Sequence, residues 1–364
     1  MVYKKGEIAL VLEKKQVVCM LINIICIKMI MTYPRILVQY MGNATWINII
    51  YVSLIVLFLY YIIGRFYKPE YGTFVSAAEK IGGKTLKRIT GVIIAAVFVI
   101  NIAFEVRSYP ETVKTVLLEE TKMQIIIILY ILTSAVGAYL GIESNARIHS
   151  IFIPIAGVIM VGFFLLSMPY WKINNIMPIL GNGAENIFIK GTQNICMMSD
   201  ITVLNYLMPH INIKRDIKNS GYIAIIISAV VSLFIIGTYN LIYPYPVSSN
   251  FILPVYQISR IVKVGMFFQR WEAFFQFVWS IGMYLYTSLY ISVIAGVIAE
   301  AFDLKFSKIL VFPIAIIVTS VAFMINMQNS LTMLAVGVYS MIIIAFCVPI
   351  IYGSIIKMKS CERE

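Results

Sequence analysis

One lysine in the middle of a long apolar segment is the first side chain in this sequence that could do chemistry. Lys28 lies in the stretch 16–41, about 13 residues, or roughly 20 Å at the rise of an α-helix, from either end. An ammonium group that deep in a membrane is costly unless a carboxylate or backbone carbonyls pair with it. We therefore expect Lys28 to face the interior beside a ligand pocket. The alternative is a structural pair that locks two helices together.

Polar side chains also recur on one face of two other apolar segments. They are Asn101, Glu105 and Ser108 in one segment, and Glu272, Gln276, Ser280, Tyr284 and Thr287 in the other. Residues three or four apart are neighbours on a helix surface, so each set forms a stripe. A polar stripe inside an apolar span predicts a water-accessible path through the interior, and the alternative is a seam between two helices.

Ser199 and Asp200 follow a polar, poorly helical run. Asp200 either caps a half-helix here or contacts the amine of a ligand. Together with the residues above, and with Thr32 beside Pro34, these two complete a candidate ligand-binding set. The set is Lys28, Thr32, Asn101, Glu105, Ser199, Asp200, Tyr284 and Thr287.

No arrangement of nucleophile and base in the sequence points to an enzyme. A relaxed phosphate-loop pattern, AEKIGGKT, occurs at residues 78–85. A phosphate loop needs a strand before it and a helix after it, whereas this pattern falls in a short basic loop between apolar segments. The two histidines, His149 and His210, lack the spacing of metal ligands, and the five cysteines form no Cys-x-x-Cys pair. The sequence therefore predicts no catalytic activity, no metal and no cofactor.

The composition indicates that the apolar segments cross a lipid bilayer. Hydrophobic residues make up 60% of the 364 residues, charged residues make up 13%, and the mean hydropathy is +0.89. A soluble domain is about half apolar and about a quarter charged, so the excess apolar surface must face lipid. The net charge of +12 lies in short runs between apolar segments rather than on one face, which argues against nucleic-acid binding.

About ten segments reach the roughly 20 residues that the hydrocarbon core requires. They are residues 16–41, 46–64, 89–108, 123–142, 148–168, 185–208, 219–243, 270–299, 306–326 and 332–356. We therefore predict an all-α polytopic membrane protein, with the whole chain, 1–364, as a single membrane domain. Lysine and arginine are concentrated in both tails and in the even-numbered loops, so the positive-inside rule places both termini in the cytoplasm.

Two of these segments are interrupted at matching positions. The first contains Thr32 and Pro34, and proline removes a backbone donor; the sixth is interrupted near residues 197–200. These segments open two five-helix halves, 1–168 and 185–356, and because five is odd the second half starts from the opposite side. Broken helices at corresponding positions of inverted repeats mark a substrate site near the bilayer midplane in transporter folds.

The loop 244–269 on the outer side has a pattern of its own. It contains three prolines, followed by an amphipathic stretch over residues 255–268. This stretch predicts an interfacial helix that lies over the outer mouth of the bundle, as a lid. The alternative is an ordinary exposed loop.

Four stretches of the chain give it a resemblance to a known family. They read GMFFQRWEAFFQFVW at 265–279, GIESNARIHSIFIPI at 141–155, NIMPILGNGAENIFIKG at 175–191 and AAEKIGGKTLKRITG at 77–91. Taken together, in their order along the chain, these stretches resemble the endospore germination permease family. Its members are the B subunits of nutrient germinant receptors, within the amino acid–polyamine–organocation transporter superfamily. The last stretch also accounts for the apparent phosphate loop.

The resemblance implies ten helices in two inverted repeats and a role in sensing germinants at the inner membrane of dormant spores. It also implies two partners, a membrane A subunit and a lipoprotein C subunit, and a small nutrient such as an amino acid bound between helices one, three, six and eight. Because helices one, three and six converge in this fold, Asp200 and Glu105 are the expected partners of Lys28. The alternatives are an amino-acid transporter that uses the same pocket, and a scaffold subunit that binds no ligand.

The first helix departs from the family pattern. Family members usually have small glycines before the end of this helix, which open the backbone to a ligand. Here the stretch 26–34 reads CIKMIMTYP, with no glycine and with Lys28 in its place. If Lys28 pairs with a carboxylate across the pocket, its side chain fills space and places a charge where glycines leave room for the ligand in relatives.

Overall fold

The computed structural model describes residues 3–4, 7–8, 12–30, 33–211, 214–251, 253–262, 271–305, 307–325 and 331–361. This part of the chain is helical, apart from a two-residue antiparallel pairing of β1 (Tyr3–Lys4) with β2 (Glu7–Ile8). The prediction of an all-α membrane protein is confirmed.

The fourteen α-helices lie in three groups along the chain. The first group is α1 (Lys14–Ile30), α2 (Tyr33–Met41), α3 (Thr45–Phe66), α4 (Phe74–Val116), α5 (Met123–Leu140) and α6 (Ile142–Ser167). A middle group is α7 (Ala184–Phe188), a 3₁₀ segment (Lys190–Thr202), α8 (Val203–Leu207), α9 (Lys214–Ile242) and α10 (Pro254–Ile261). The last group is α11 (Trp271–Ala301), α12 (Val311–Met324), α13 (Leu331–Ile342), a π-helical turn (Ile343–Cys347) and α14 (Val348–Cys361).

Seven helical stretches among the described residues are long and apolar enough to cross a membrane. They are Tyr33–Phe66, Phe74–Val116, Met123–Leu140, Ile142–Tyr170, Asp216–Ile242, Glu272–Ala301 and Gly337–Lys359. The remaining predicted spans correspond to the 17-residue α1, the irregular 3₁₀ segment with α8, and the 14-residue α12. The number of ten spans and the division into repeats at 1–168 and 185–356 stay predictions.

Helices α1 and α11 form the centre of the bundle. From Met20 to Met29 every residue of α1 is buried, and 78% of the apolar window of α11 is buried. A helix that is apolar on all sides and buried on all sides belongs in a core rather than at a lipid surface. By contrast, only 17% of the corresponding window of α6 is buried, so α6 lies at the periphery. The two central helices therefore decide which side chains can meet inside the bundle.

The first predicted span is split into two helices. Helix α1 ends at Ile30 and α2 begins at Tyr33, on either side of residues 31–32, which lie outside the described range. The interruption predicted near 28–34 falls partly on these two residues, so it stays a prediction there. Lys28 lies in the last turn of α1, close to where its final carbonyl groups lack partners within the helix.

The sixth predicted span differs from the expectation. Instead of two half-helices separated at 197–200, the chain forms one 3₁₀ segment from Lys190 to Thr202 and then the five-residue α8. Ser199 Oγ donates to the carbonyl of Cys196 at 2.6 Å, and Thr202 Oγ1 donates to that of Ser199 at 2.7 Å. Such local side-chain bonds compete with the regular α-helical ladder, and a long 3₁₀ stretch often marks a hinge or a functional site.

The phosphate-loop-like pattern lies within a helix rather than in the predicted loop. Helix α4 begins at Phe74 and bends at Gly82 and Gly83, before the apolar part of the span. Gly83 has a φ of 71°, a left-handed conformation that glycine adopts without strain. The pattern therefore provides a bend at the bundle end that holds Lys87, and the element directly before α4 is a 3₁₀ turn, Pro69–Tyr71, and not a strand.

The outer loop forms a helix over part of its predicted length. Helix α10 covers Pro254–Ile261, and its inner face is buried at Val255 and Ile258, which are 1% and 0% exposed. It packs against α2, α6, α9 and α11. Residues 263–268 of the predicted stretch 255–268 lie outside the described part of the chain. The described turns thus form a helix packed on the bundle, and its role as a lid over the outer mouth stays a prediction.

Candidate functional site

Lys28 forms an ion pair with Asp200 deep inside the bundle. The Lys28 Nζ atom is 2.7 Å from Asp200 Oδ2, and the two side chains are 4% and 0% exposed. Lys28 comes from the last turn of α1 and Asp200 from the 3₁₀ segment, so the pair joins the two interrupted spans. The prediction that Asp200 is a partner of Lys28 is confirmed.

Three further side chains enclose the pair. Asn101 accepts a hydrogen bond from Lys28 Nζ at 3.3 Å and donates through Nδ2 to Asp200 Oδ1 at 3.5 Å. Tyr290 donates its hydroxyl hydrogen to Asp200 Oδ1, and the Lys28 ammonium lies 5.9 Å from the ring centroid of Tyr286. We call these five residues the ion-pair cluster. They come from α1, α4, the 3₁₀ segment and α11, so four elements meet at one point.

The ion-pair cluster carries no net charge. The positive charge of Lys28 offsets the negative charge of Asp200, and the neutral Asn101 and Tyr290 supply the remaining hydrogen bonds. Taking two charges out of water is costly, and removing one partner of such a pair costs about 3–5 kcal/mol because the other charge stays buried. The cluster is therefore closed and specific in its geometry. Of its members, only Asn101 keeps some accessible surface.

Glu105 was the second expected partner of Lys28, and it does not pair with it. Glu105 lies one turn after Asn101 on α4, close enough to Lys28 and Asp200 for electrostatic interaction, but forms no ion pair among the described residues. Its side chain is partly exposed, although it lies within an apolar span. Glu105 is thus a carboxylate near the ion-pair cluster that keeps part of its surface accessible.

Tyr284 and Thr287, both predicted site residues on α11, belong to an adjoining aromatic group. The hydroxyls of Thr287 and Tyr130 share a hydrogen bond, and Tyr130 also donates to the carbonyl of Met283 at 3.1 Å. The ring of Tyr284 lies 5.1 Å from that of Tyr130 and 6.1 Å from that of Tyr109, centroid to centroid. Thr287 is fully buried, whereas Tyr284 is partly exposed.

Two other predicted site residues do not take part in the cluster. Ser199 is fully buried, and its hydroxyl bonds the backbone of its own 3₁₀ segment. Its role is to shape the segment that carries Asp200. Thr32 lies outside the described residues, so its part in the site stays a prediction.

Tyr286 and Tyr290 are the site residues that sequence reasoning missed. Both lie in an apolar part of α11, where the sequence context indicates ordinary core residues. A signal was present, since the two tyrosines are four residues apart and share one helix face. A buried tyrosine hydroxyl usually requires a hydrogen-bond partner, which points to a polar group opposite that face.

A cavity of about 530 Å³ lies beside α1, away from the ion-pair cluster. Helices α1, α6, α9 and α11 line it with almost entirely apolar side chains, among them Ile27, Phe163 and Phe275. This cavity opens towards the loosely packed α6 and includes no member of the ion-pair cluster. The few polar groups in its lining belong to Asn23, Trp171 and Trp279, and no charged side chain lines it.

A second polar group ties helices together at the end of the bundle where α4 begins. Lys87 Nζ pairs with Asp303 Oδ1 at 2.5 Å and with Glu79 Oε2 at 2.9 Å, and Thr73 donates to Glu300 at 2.5 Å. The Lys87 ammonium lowers the pKa of Asp303 below its ordinary value of 3.8. These contacts join α4 to α11 and to the loop that follows it.

Among the described residues, no group of three or more histidine, cysteine, aspartate or glutamate side chains could hold a metal ion. His149 is fully buried and is bonded to the carbonyl of Asn145 at 2.7 Å and to Asn23 Nδ2 at 3.2 Å. Asn23 also donates to the carbonyl of Gly282 at 3.1 Å. His149 thus helps to join α1, α6 and α11.

Comparisons with known proteins give consistent results. A family model described as spore germination protein matches residues 11–330. Spore germination protein A2 of Bacillus subtilis (strain 168) is 26% identical over 286 residues, or 76% of each chain. Spore germination protein KB of the same organism is 22% identical over 302 residues, or 80% of each chain.

A solved transporter structure shares the fold. The structure of Mhp1, a nucleobase-cation-symport-1 family transporter, in a closed conformation with bromovinylhydantoin bound, aligns with a TM-score of 0.66. The alignment covers 85% of this chain and 72% of Mhp1 at 13% sequence identity, so it shows the fold alone. With residues 11–330 matched by the family model, this chain belongs to the spore germination protein family and has the fold of a membrane transporter.

Proposed function

We propose that this chain is the nutrient-sensing membrane subunit of a spore germinant receptor. The observation that carries the proposal is the meeting of α1, α4, the 3₁₀ segment and α11 at a polar cluster inside an otherwise apolar bundle. Polar and ionisable groups at that depth are costly and usually mark a ligand or ion pathway. Family membership supplies the process in which the site acts, spore germination.

The ligand is expected to lie beside the ion-pair cluster rather than within it. Lys28 and Asp200 already satisfy each other, whereas Asn101, Glu105 and Tyr284 are partly exposed. These three side chains offer an amide, a carboxylate and a phenol to a small polar molecule. A nutrient of amino-acid size that binds there would touch α4 and α11 directly and would act on α1 through Asn101.

The setting of the subunit is part of the same proposal. We place it in the inner membrane of the spore, with both termini in the cytoplasm, because lysine and arginine are concentrated in both tails and in the even-numbered loops. Its partners would be a membrane A subunit and a lipoprotein C subunit, as the family resemblance implies. No catalytic activity is proposed, and the chain acts by binding.

A transporter that moves an amino acid through the same site is the second candidate. The fold shared with Mhp1 favours it. The two functions differ in one measurable property: a transporter reconstituted in liposomes accumulates labelled substrate, whereas a sensor binds it without net flux. A protein that neither binds nor transports would serve as a scaffold.

Substitution of the reachable member of the cluster tests sensing. Asn101→Leu keeps a similar volume but removes the amide that links Lys28 to Asp200, so spores carrying it should respond to a panel of amino acids, sugars and nucleosides with a shifted concentration dependence. Asn186→Leu is the matched control, because Asn186 is partly exposed and its side chain bonds only to the carbonyl of Asn182 among the described residues. An unchanged response of Asn101→Leu spores at equal subunit levels would contradict the proposal.

A further inference from the structure

Glu105 is the acidic group of the site that forms no ion pair among the described residues. Lys28 Nζ bonds to Asp200 and Asn101, and among the described residues it forms no hydrogen bond or ion pair with Glu105. Glu105 has no hydrogen bond and no ion pair among the described residues, and its side chain is partly exposed inside the span. The described part of the site therefore contains one matched pair and one carboxylate that has no ion-pair partner and is partly accessible.

The surroundings of Glu105 suit a cation. Tyr33, Tyr130 and Tyr286 lie within electrostatic range of it, and its helix neighbour Tyr109 continues the aromatic wall towards Tyr284. Aromatic ring faces attract ammonium groups, and the attraction grows where water is excluded. An anion here would instead meet the carboxylate of Glu105 without a free positive charge to hold it, because Lys28 is already paired.

We infer that Glu105 binds the amino group of the ligand, and that this subunit accepts molecules carrying a primary amine whether or not they also carry a carboxylate. The inference rests on the proposed function, because it names the recognition chemistry of that same site. A bound cation also leaves the interior neutral, which lowers the cost of holding the Glu105 carboxylate in the span.

Matched ligands distinguish the contribution of the amine to binding from that of the carboxylate. The probes are L-alanine, L-leucine and L-phenylalanine, their amides, which keep the amine and lack the carboxylate, and the 2-hydroxy acids with the same side chains, which lack the amine. Their Kd values are measured by calorimetry on the purified full-length protein in lipid nanodiscs. At least one amino acid and its amide should bind with comparable Kd values, and the corresponding hydroxy acid should not bind.

Variants at Glu105 link this preference to the residue. Glu105→Gln keeps the shape and removes the charge, so the Kd of the amine ligands should rise roughly 10- to 100-fold, the loss expected for a hydrogen bond to a charged group. Glu105→Asp keeps the charge and should bind more tightly than the glutamine variant. Glu111→Gln is the control, because Glu111 lies on the same helix, its side chain is 48% exposed, and its one ion pair among the described residues is with Arg107.

Three results would overturn the inference. Hydroxy acids that bind, or amides whose Kd is unchanged in Glu105→Gln, would place recognition elsewhere while leaving nutrient binding, and thus the proposed function, intact. Absence of binding by all nine probes would overturn the inference and the proposed function together. If Glu105→Gln does not fold, Glu105→Asp decides instead. Loss of amine binding in a folded Glu105→Asp protein would show that the carboxylate is required at its native reach.

Discussion

Breaking the buried ion pair should destabilise the protein, and removing both charges should restore most of the loss. Lys28→Met leaves the Asp200 carboxylate, which is 0% exposed, without its cation. Asp200→Asn leaves the Lys28 ammonium, which is 4% exposed, without its anion. Each single substitution should cost about 3–5 kcal/mol. The double variant carries no buried charge and should lie within about 1 kcal/mol of the native protein, because a neutral replacement of a buried pair is often tolerated.

Thermal unfolding of the purified protein in detergent, followed by tryptophan fluorescence, measures the effect. For a chain of this length, a loss of that size lowers Tm by roughly 5 °C in each single variant. The exposed pair Lys190 and Glu185, 3.5 Å apart with side chains 55% and 68% exposed, supplies the control cycle. Lys190→Met and Glu185→Gln should change Tm by less than about 1 °C, because exposed pairs contribute little.

The coupling between the two buried sites decides the result. If the pair is real, the stability loss of the double variant is far smaller than the sum of the losses of the two single variants. Single variants of native stability, or a double variant that loses as much as both singles together, would refute the ion pair. The same proteins show whether a germination defect in Lys28→Met spores reflects lost sensing or lost protein.

Two further predictions concern packing and pH. Gly91→Ala should lower the free energy of unfolding by about 1–3 kcal/mol, because the new Cβ would clash with the Cβ of Ala301. Gly157→Ala should leave Tm unchanged or slightly higher, because nothing lies within 4 Å of the new atom. Because Lys87 lowers the pKa of Asp303, this pair stabilises the protein above pH 3.8 and ceases to do so as the pH falls through the lowered pKa. The Tm difference between the native protein and Asp303→Asn should therefore vanish in strong acid, and a difference that persists there would contradict the ion pair.

The parts of the site that followed from sequence are those with a large energetic cost. A lysine in the middle of an apolar span must be paired, and few intramembrane carboxylates were available, so Asp200 could be named as a partner of Lys28. Composition and segment length likewise predicted an all-α membrane protein, because no other fold hides so much apolar surface from water. These inferences depend on transfer free energies, which act on each segment separately.

The parts that sequence did not predict depend on packing between distant segments. Tyr286 and Tyr290 look like core residues until Asp200 is placed opposite them. The 3₁₀ conformation extends over Lys190–Thr202 because local side-chain bonds and neighbouring helices stabilise it, and no pattern in the sequence measures that balance. The failure of Glu105 to pair with Lys28 also required the structure, since either carboxylate could have taken the ammonium.

The most direct test of the account is a structure of the protein with a bound nutrient taken from the panel of probes. The account predicts ligand density between α4 and α11, in contact with Asn101 and Glu105, with the Lys28–Asp200 pair intact beside it. Density in the apolar cavity between α1, α6, α9 and α11, or a ligand carboxylate bound to Lys28 in place of Asp200, would contradict it.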